Sequence, residues 1–228
     1  MRNIFSNPKR SIATLAGVAL LAVPLAACGT EDDGPSTSSN SSSSKQSAPE
    51  PVAAIEALSG GTTAIALDKG FTDALASLKL TPGVVGGAEL TPEGSLVFPI
   101  TGGNVTVFKP GTVSPYVIGQ IQHVDSGLSL TAGDTTVELT NFNVDPGVSR
   151  VYGDVSVNGE VAAQSAYLFQ LDGRTLKPLK AQGNQAILKG AEVKISDVAA
   201  PVLNDVFKTD AVKAGLLVGI ATITVDVK

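Results

Sequence analysis

The chain has 228 residues, and its 21 Asp and Glu outweigh its 16 Lys and Arg for a formal charge of −5 at pH 7. An acidic chain with one His and no basic run argues against nucleic acid and against a polybasic contact with anionic lipid. A single Cys excludes an internal disulfide, and with no Trp the core falls to Val, Ile, Leu and Ala.

Arg2, Lys9 and Arg10 open the chain with no acid among them, and residues 11–24 form an apolar run. That is the layout of a secretory signal, and the run is too short to span a bilayer comfortably. Leu25-Ala26-Ala27-Cys28 stands at its end. This quartet resembles the bacterial lipoprotein signal, whose lipobox is a Leu, two small residues and Cys. The resemblance implies cleavage between Ala27 and Cys28. It also implies diacylglycerol, with palmitate-type chains, on the Cys28 thiol. The mature chain would then be held to the cell membrane on its extracytoplasmic face. The competing reading is a leader cut nearby, with Cys28 a bystander. Two acyl chains at ~0.8 kcal/mol per buried methylene give roughly 20 kcal/mol before losses, so such an anchor holds without any protein surface on the bilayer.

Residues 29–51 are rich in Ser, with Thr, Asn, Gly and Pro. They cannot bury enough surface to offset chain entropy, so they read as a disordered tether, with O-glycosylation as a compositional hint. Ser42-Ser43-Ser44-Lys45 matches the S-x-x-K pattern of penicillin-binding enzymes, but a flexible tether cannot hold a nucleophile and base in register. The predicted organisation is a signal peptide at 1–27, lipidated Cys28 and tether at 28–51, and one domain at 52–228, long enough for a real core.

Past the tether the pattern is that of strands. Residues 95–100 and 104–108 flank Gly102-Gly103, read as a hairpin turn. Residues 117–123 and 128–131 alternate around Ser126-Gly127. Val137 and Leu139 share a phase that slips at Phe142, which predicts a bulge. Residues 151–157 end at Asn158-Gly159, the strongest hairpin signal in the chain. The stretch from Val161 onward and residues 167–171, 186–189 and 193–195 are shorter candidates. Residues 218–227 close the chain with Ala221, Ile223, Val225 and Val227 on one face. Two helices are predicted. Asp68 caps one with the stripe Phe71, Ala74, Leu75 and Leu78. Ser196 caps another with Val202, Leu203, Val206 and Phe207, where Pro201 belongs near the first turn. Each follows a short strand. The predicted fold is mainly β: an antiparallel β-sandwich or partly open barrel with two short helices.

No P-loop, G-x-S-x-G elbow, H-E-x-x-H or dinucleotide fingerprint is present in the sequence. A Ser-His-Asp site would have to use His123, with Asp125 two residues along a strand and on the same face. No Ser stands out as its nucleophile, and the plainer reading is an exposed strand-end His beside a turn Asp. His and Cys are too few for a zinc site. The Asp residues at 125, 145 and 172 sit in turn sequences, where Asp bonds its own backbone. No metal site is predicted. Tyr116, Tyr152 and Tyr167 read as core or rim residues.

The stretch Gly119-Gln120-Ile121-Gln122-His123, followed by Gly127-Leu128-Ser129-Leu130, resembles the middle of the HtaA haem-uptake domain of actinobacterial surfaces. Gly70-Phe71 near the start, and a helix at 203–206 followed by Gly215 and a last strand, are similar too. The resemblance implies a β-rich surface domain and haem ligation by tyrosines with a supporting His, of which His123 carries over. Thr72, Asp73 and Ala74 stand where a Tyr is expected after Phe71, and the late helix ends in Phe207.

Three functions follow as expectations. The first is a lipid-anchored, non-catalytic domain without cofactor that binds an envelope component or a small ligand, with His123 and Asp125 as candidate ligand-binding residues. The second is a haem-binding or haem-relay lipoprotein. The third is an envelope hydrolase working through two convergent carboxylates.

Overall fold

The computed structural model describes residues 48–227. The leader, Cys28 and nearly all of the tether lie outside the described residues. Thirteen strands form one antiparallel sheet. In chain order they are β1 (Pro51–Ile55), β2 (Gly61–Leu67), β3 (Thr81–Gly86), β4 (Glu89–Leu90), β5 (Ser95–Pro99), β6 (Gly102–Phe108) and β7 (Val117–Ala132). There follow β8 (Thr135–Asp145), β9 (Arg150–Val157), β10 (Glu160–Asp172), β11 (Lys180–Gln182), β12 (Gln185–Ile195) and β13 (Leu217–Asp226). Helix α1 (Lys69–Ser77) follows β2, and α2 (Ala199–Phe207) follows β12. The strands run β1-β6-β7-β8-β9-β10-β12-β13-β2-β5-β4 across the sheet, with β3 on β7 and β11 on β12. The sheet is not closed on itself. This is the mainly β architecture with two short helices that the strand pattern predicts.

Helix α1 forms where its predicted cap is. Asp68 accepts a hydrogen bond from the Gly70 amide at 2.8 Å, worth about 1 kcal/mol. Phe71 and Leu75 of α1 are buried. The Ser196 hydroxyl accepts from the Ala199 amide at 2.9 Å and donates to the Tyr167 carbonyl at 2.7 Å. It ties the turn before α2 to β10, but the N-cap position of α2 is Val198, which makes no side-chain cap bond, and not the predicted Ser196. Pro201 is the third residue of α2, still within the first turn, where a missing amide costs nothing. The strands before the two helices, β2 and β12, are the two neighbours of β13.

Gly102-Gly103 is not a hairpin turn. β5 pairs with β2 and β4, while β6 pairs with β1 and β7. The chain passes from one to the other through Ile100 and Thr101, and Thr101 gives its amide to the Gln122 carbonyl at 2.8 Å. One bent ribbon therefore serves both ends of the strand order, and this curls the sheet around its core. Gly103, at φ 116, bears no side chain because a Cβ there would stand 2.0 Å from the Gln120 carbonyl oxygen.

Several short predicted strands are joined in the structure. Residues 117–123 and 128–131 are one strand, β7, interrupted by a bulge rather than a turn. There His123 pairs with Phe142 and Gly127 with Thr140, so residues 124–126 lie opposite Asn141 alone. The phase slip at Phe142 is the same irregularity seen from β8, and the β8–β9 register shifts between Thr140 and Asn143. Asn158-Gly159 makes the predicted β9–β10 hairpin, with φ values of 52 and 82, the left-handed pair that a two-residue type I′ turn needs. Among the described residues, no helix is long and apolar enough to cross a membrane.

Candidate functional site

The bulge in β7 decides where His123 goes. Asp125 adopts φ 55 and Asn141 φ 54. The Asn141 side chain holds both bulged strands, accepting from the Asp125 amide at 2.9 Å and donating to Asp154 at 2.9 Å. With the strand kinked there, Val124 and Asp125 turn to solvent while His123 and Ser126 turn inward. His123 and Asp125 therefore do not share a face, and the carboxylate does not orient the imidazole. Nor is His123 an exposed strand-end residue: it is 2 % exposed.

The His123 ring stands among Phe98, Phe142, Leu128 and Val144, beside a void of about 80 Å³. Phe98 packs edge-on against both His123 and Phe142, with ring centroids 6.1 and 5.3 Å apart. Nδ1 lies 2.8 Å from the Pro99 carbonyl oxygen, so Nδ1 carries the proton and Nε2 keeps its lone pair. Burial pushes the imidazole pKa below its ordinary value, against a smaller upward pull from the Pro99 carbonyl. Nε2 has no hydrogen-bond partner. Neither has the hydroxyl oxygen of Thr63, which is 6 % exposed and lines the same void from β2. Two unpaired polar groups thus border one small apolar space. Sequence spacing could not have found this pair, because Thr63 reaches His123 only through the curl of the sheet.

A wider cleft of about 370 Å³ adjoins the small void and shares Val144, Leu171, Ala191 and Ile223 with it as walls. This volume is within the range of ligand sites, whereas the small void alone is not. Aliphatic side chains from β1, β6, β7, β12 and β13 line it, among them Ile55, Val107, Val117 and Leu188. Tyr116 is on its wall, and burial raises the Tyr116 hydroxyl pKa. Among the described residues lining the cleft, Asp172 is the one carboxylate. Arg174 grips it at 2.6 Å and Lys194 at 3.3 Å. The hydrogen bonds from the Arg174 side chain and amide, and then from Lys194, hold the Asp172 carboxyl well below the usual carboxylate range. A second, convergent acid for hydrolysis is not on this wall.

The other tyrosines lie apart from His123. The Arg150 guanidinium stacks on the Tyr167 ring at 4.5 Å, and the Tyr152 and Tyr167 rings are 6.0 Å apart. The Tyr167 hydroxyl bonds to Gln170. Asp145 and Asp172 accept backbone amides of their own turns, as turn sequences predict.

No protein-family model and no curated protein matches the chain. Among solved structures, the fold is similar to that of the C-terminal domain of HtaA from Corynebacterium glutamicum, with TM-score 0.50 and 10% identity over 75% of this chain and 98% of that one. The N-terminal domain of the same protein gives TM-score 0.46 and 11% identity, over 75% of this chain and 98% of that one. The haem-binding protein HtaB from the same organism gives TM-score 0.44 and 11% identity, over 76% and 96%. At such identity the first likeness is one of fold.

Proposed function

We propose that this chain is a lipid-anchored surface protein whose β domain is a non-catalytic haem-binding module. The observation that carries the reading is His123. Its Nδ1–H is held by a backbone carbonyl while Nε2 stays unprotonated and unpaired in an apolar niche, the arrangement by which proteins orient an imidazole toward a metal. The HtaA-like fold supports the same ligand, and the lipobox resemblance at Cys28 supports the location. Haem would supply the iron. His123 would offer the donor, Phe98 and Phe142 the apolar walls, and the wide cleft the volume that the small void lacks. Nothing here needs a nucleophile, and Nε2 has no hydroxyl or carboxylate within hydrogen-bond reach.

Titration of the full chain with hemin tests the reading. A saturable Soret shift at one hemin per chain is expected, lost in His123→Ala and regained on adding free imidazole. No shift, or an identical one in His123→Ala, ends it.

A further inference from the structure

The segment from Asp172 to Lys194 has five cations and two acids, in a chain whose overall charge is −5. Both acids are already engaged: Asp172 by Arg174 and Lys194, and Glu192 by Lys194 at 2.7 Å. Lys177, Lys180 and Lys189 are exposed and have no ion-pair partner among the described residues. The loop Arg174-Thr175-Leu176-Lys177-Pro178-Leu179-Lys180 has two faces. Leu176 and Leu179 pack inward on the group around Val107, Val117 and Leu188, while Lys177 and Lys180 point to water. Thr175 fixes the loop by donating to the Gly190 carbonyl at 2.5 Å, and the Lys177 amide donates to the Lys189 carbonyl at 2.8 Å.

We infer that the wide cleft takes the acyl chain of an anionic amphiphile, and that this loop holds the amphiphile's charged head. The cleft wall is mainly aliphatic, and the two charges on it, Asp172 and Arg174, are paired with each other, so a hydrocarbon chain is the part of a ligand it can desolvate at gain. A carboxylate or phosphate would be stranded inside and must remain at the rim; Leu176 and Leu179 of the loop line the cleft, and the unpaired Lys177 and Lys180 next to them in sequence are the complementary charges the loop offers. The inference stands on the cleft and its rim; it shares the cleft volume with the haem reading above but not the His123 donor, so acyl binding to the hemin-free chain can fail or succeed separately from the hemin titration.

The test uses the full chain with Cys28→Ser, so that its own acyl anchor does not compete. The probes are the fluorescent fatty acid cis-parinaric acid and its uncharged methyl ester. The acid should saturate at one per chain. Palmitate and a lysophosphatidic acid should displace it, and inorganic phosphate should not; displacement by only one of the two names the head. Lys177→Glu with Lys180→Glu should weaken the acid about tenfold, the scale of reversing two exposed charges beside an anion, and leave the ester nearly unchanged. Ala53→Trp, which fills the cleft from β1, should weaken both. The inference fails if the acid gives no saturable signal, if phosphate alone displaces it, or if the double lysine variant binds acid and ester as the parent does. Because those lysines are exposed, this last result is readable even if Ala53→Trp does not fold.

Discussion

His123 and Pro99 join two strands that do not pair. Nδ1 of His123, on β7, is 2.8 Å from the carbonyl oxygen of Pro99, the last residue of β5. These strands stand near opposite ends of the strand order. The bond therefore closes the curl from inside, next to the Thr101–Gln122 bond that closes it along the backbone.

Stability should fall in mild acid because of this imidazole. Its native pKa is below the ordinary 6.5, so above about pH 6.5 folded and unfolded chains are both neutral there and the full stability is present. As pH drops below that value, the unfolded chain binds a proton that the folded one refuses. Stability should then decline by up to about 1.4 kcal/mol per pH unit. Urea midpoints between pH 7.5 and 5 measure this. His123→Gln should start less stable and lose most of the slope; a variant that keeps the slope assigns it to another group.

Phe142 is the centre of an aromatic chain, with Phe98 at 5.3 Å and Phe169 at 6.0 Å, both edge-on. It is buried, and its truncation to Ala should cost about 3–5 kcal/mol, read as a shift of the denaturation midpoint at constant slope. A loss under 1 kcal/mol is incompatible with the packing described here.

Asn141 holds the bulge with two side-chain hydrogen bonds at a left-handed φ of 54. Asn141→Ala removes both bonds and keeps the strain, so about 2 kcal/mol should go. Asn141→Gly relieves the strain alone and should recover part of that. Equal melting temperatures for the two variants would show that the backbone angle contributes nothing.

The anchor is tested by phase partitioning. The parent chain should enter the detergent phase of Triton X-114, and Cys28→Ser should stay in the aqueous phase. A free thiol at Cys28 by mass spectrometry would remove the anchor from the account.

Much of the β pattern was legible because alternation and turn residues are local signals. Asn158-Gly159 specifies its hairpin, Asp68 its helix, and Phe142 betrays the slipped phase. What failed was long-range. Gly102-Gly103 looks like a turn, because nothing nearby says that β6 will pair with β7 and β1. His123 and Asp125 look like neighbours on one face, because Asn141, eighteen residues beyond His123, makes the kink that parts them. The niche itself needs Thr63, which sits on a strand that reaches β7 only when the whole sheet has formed.

β1 is the strand through which the described domain continues back toward Cys28, and among the described residues it lies at a margin of the sheet, paired with β6 alone. Mechanical load arriving along that connection meets the four-rung contact from Pro51 to Ile55 first. Ala53 and Ile55 of that contact are also cleft wall. Under the proposed anchor, a tug on the leash would peel away a side of the container before it disturbed the fold behind it, and retention of the proposed ligand would be sensitive to tension.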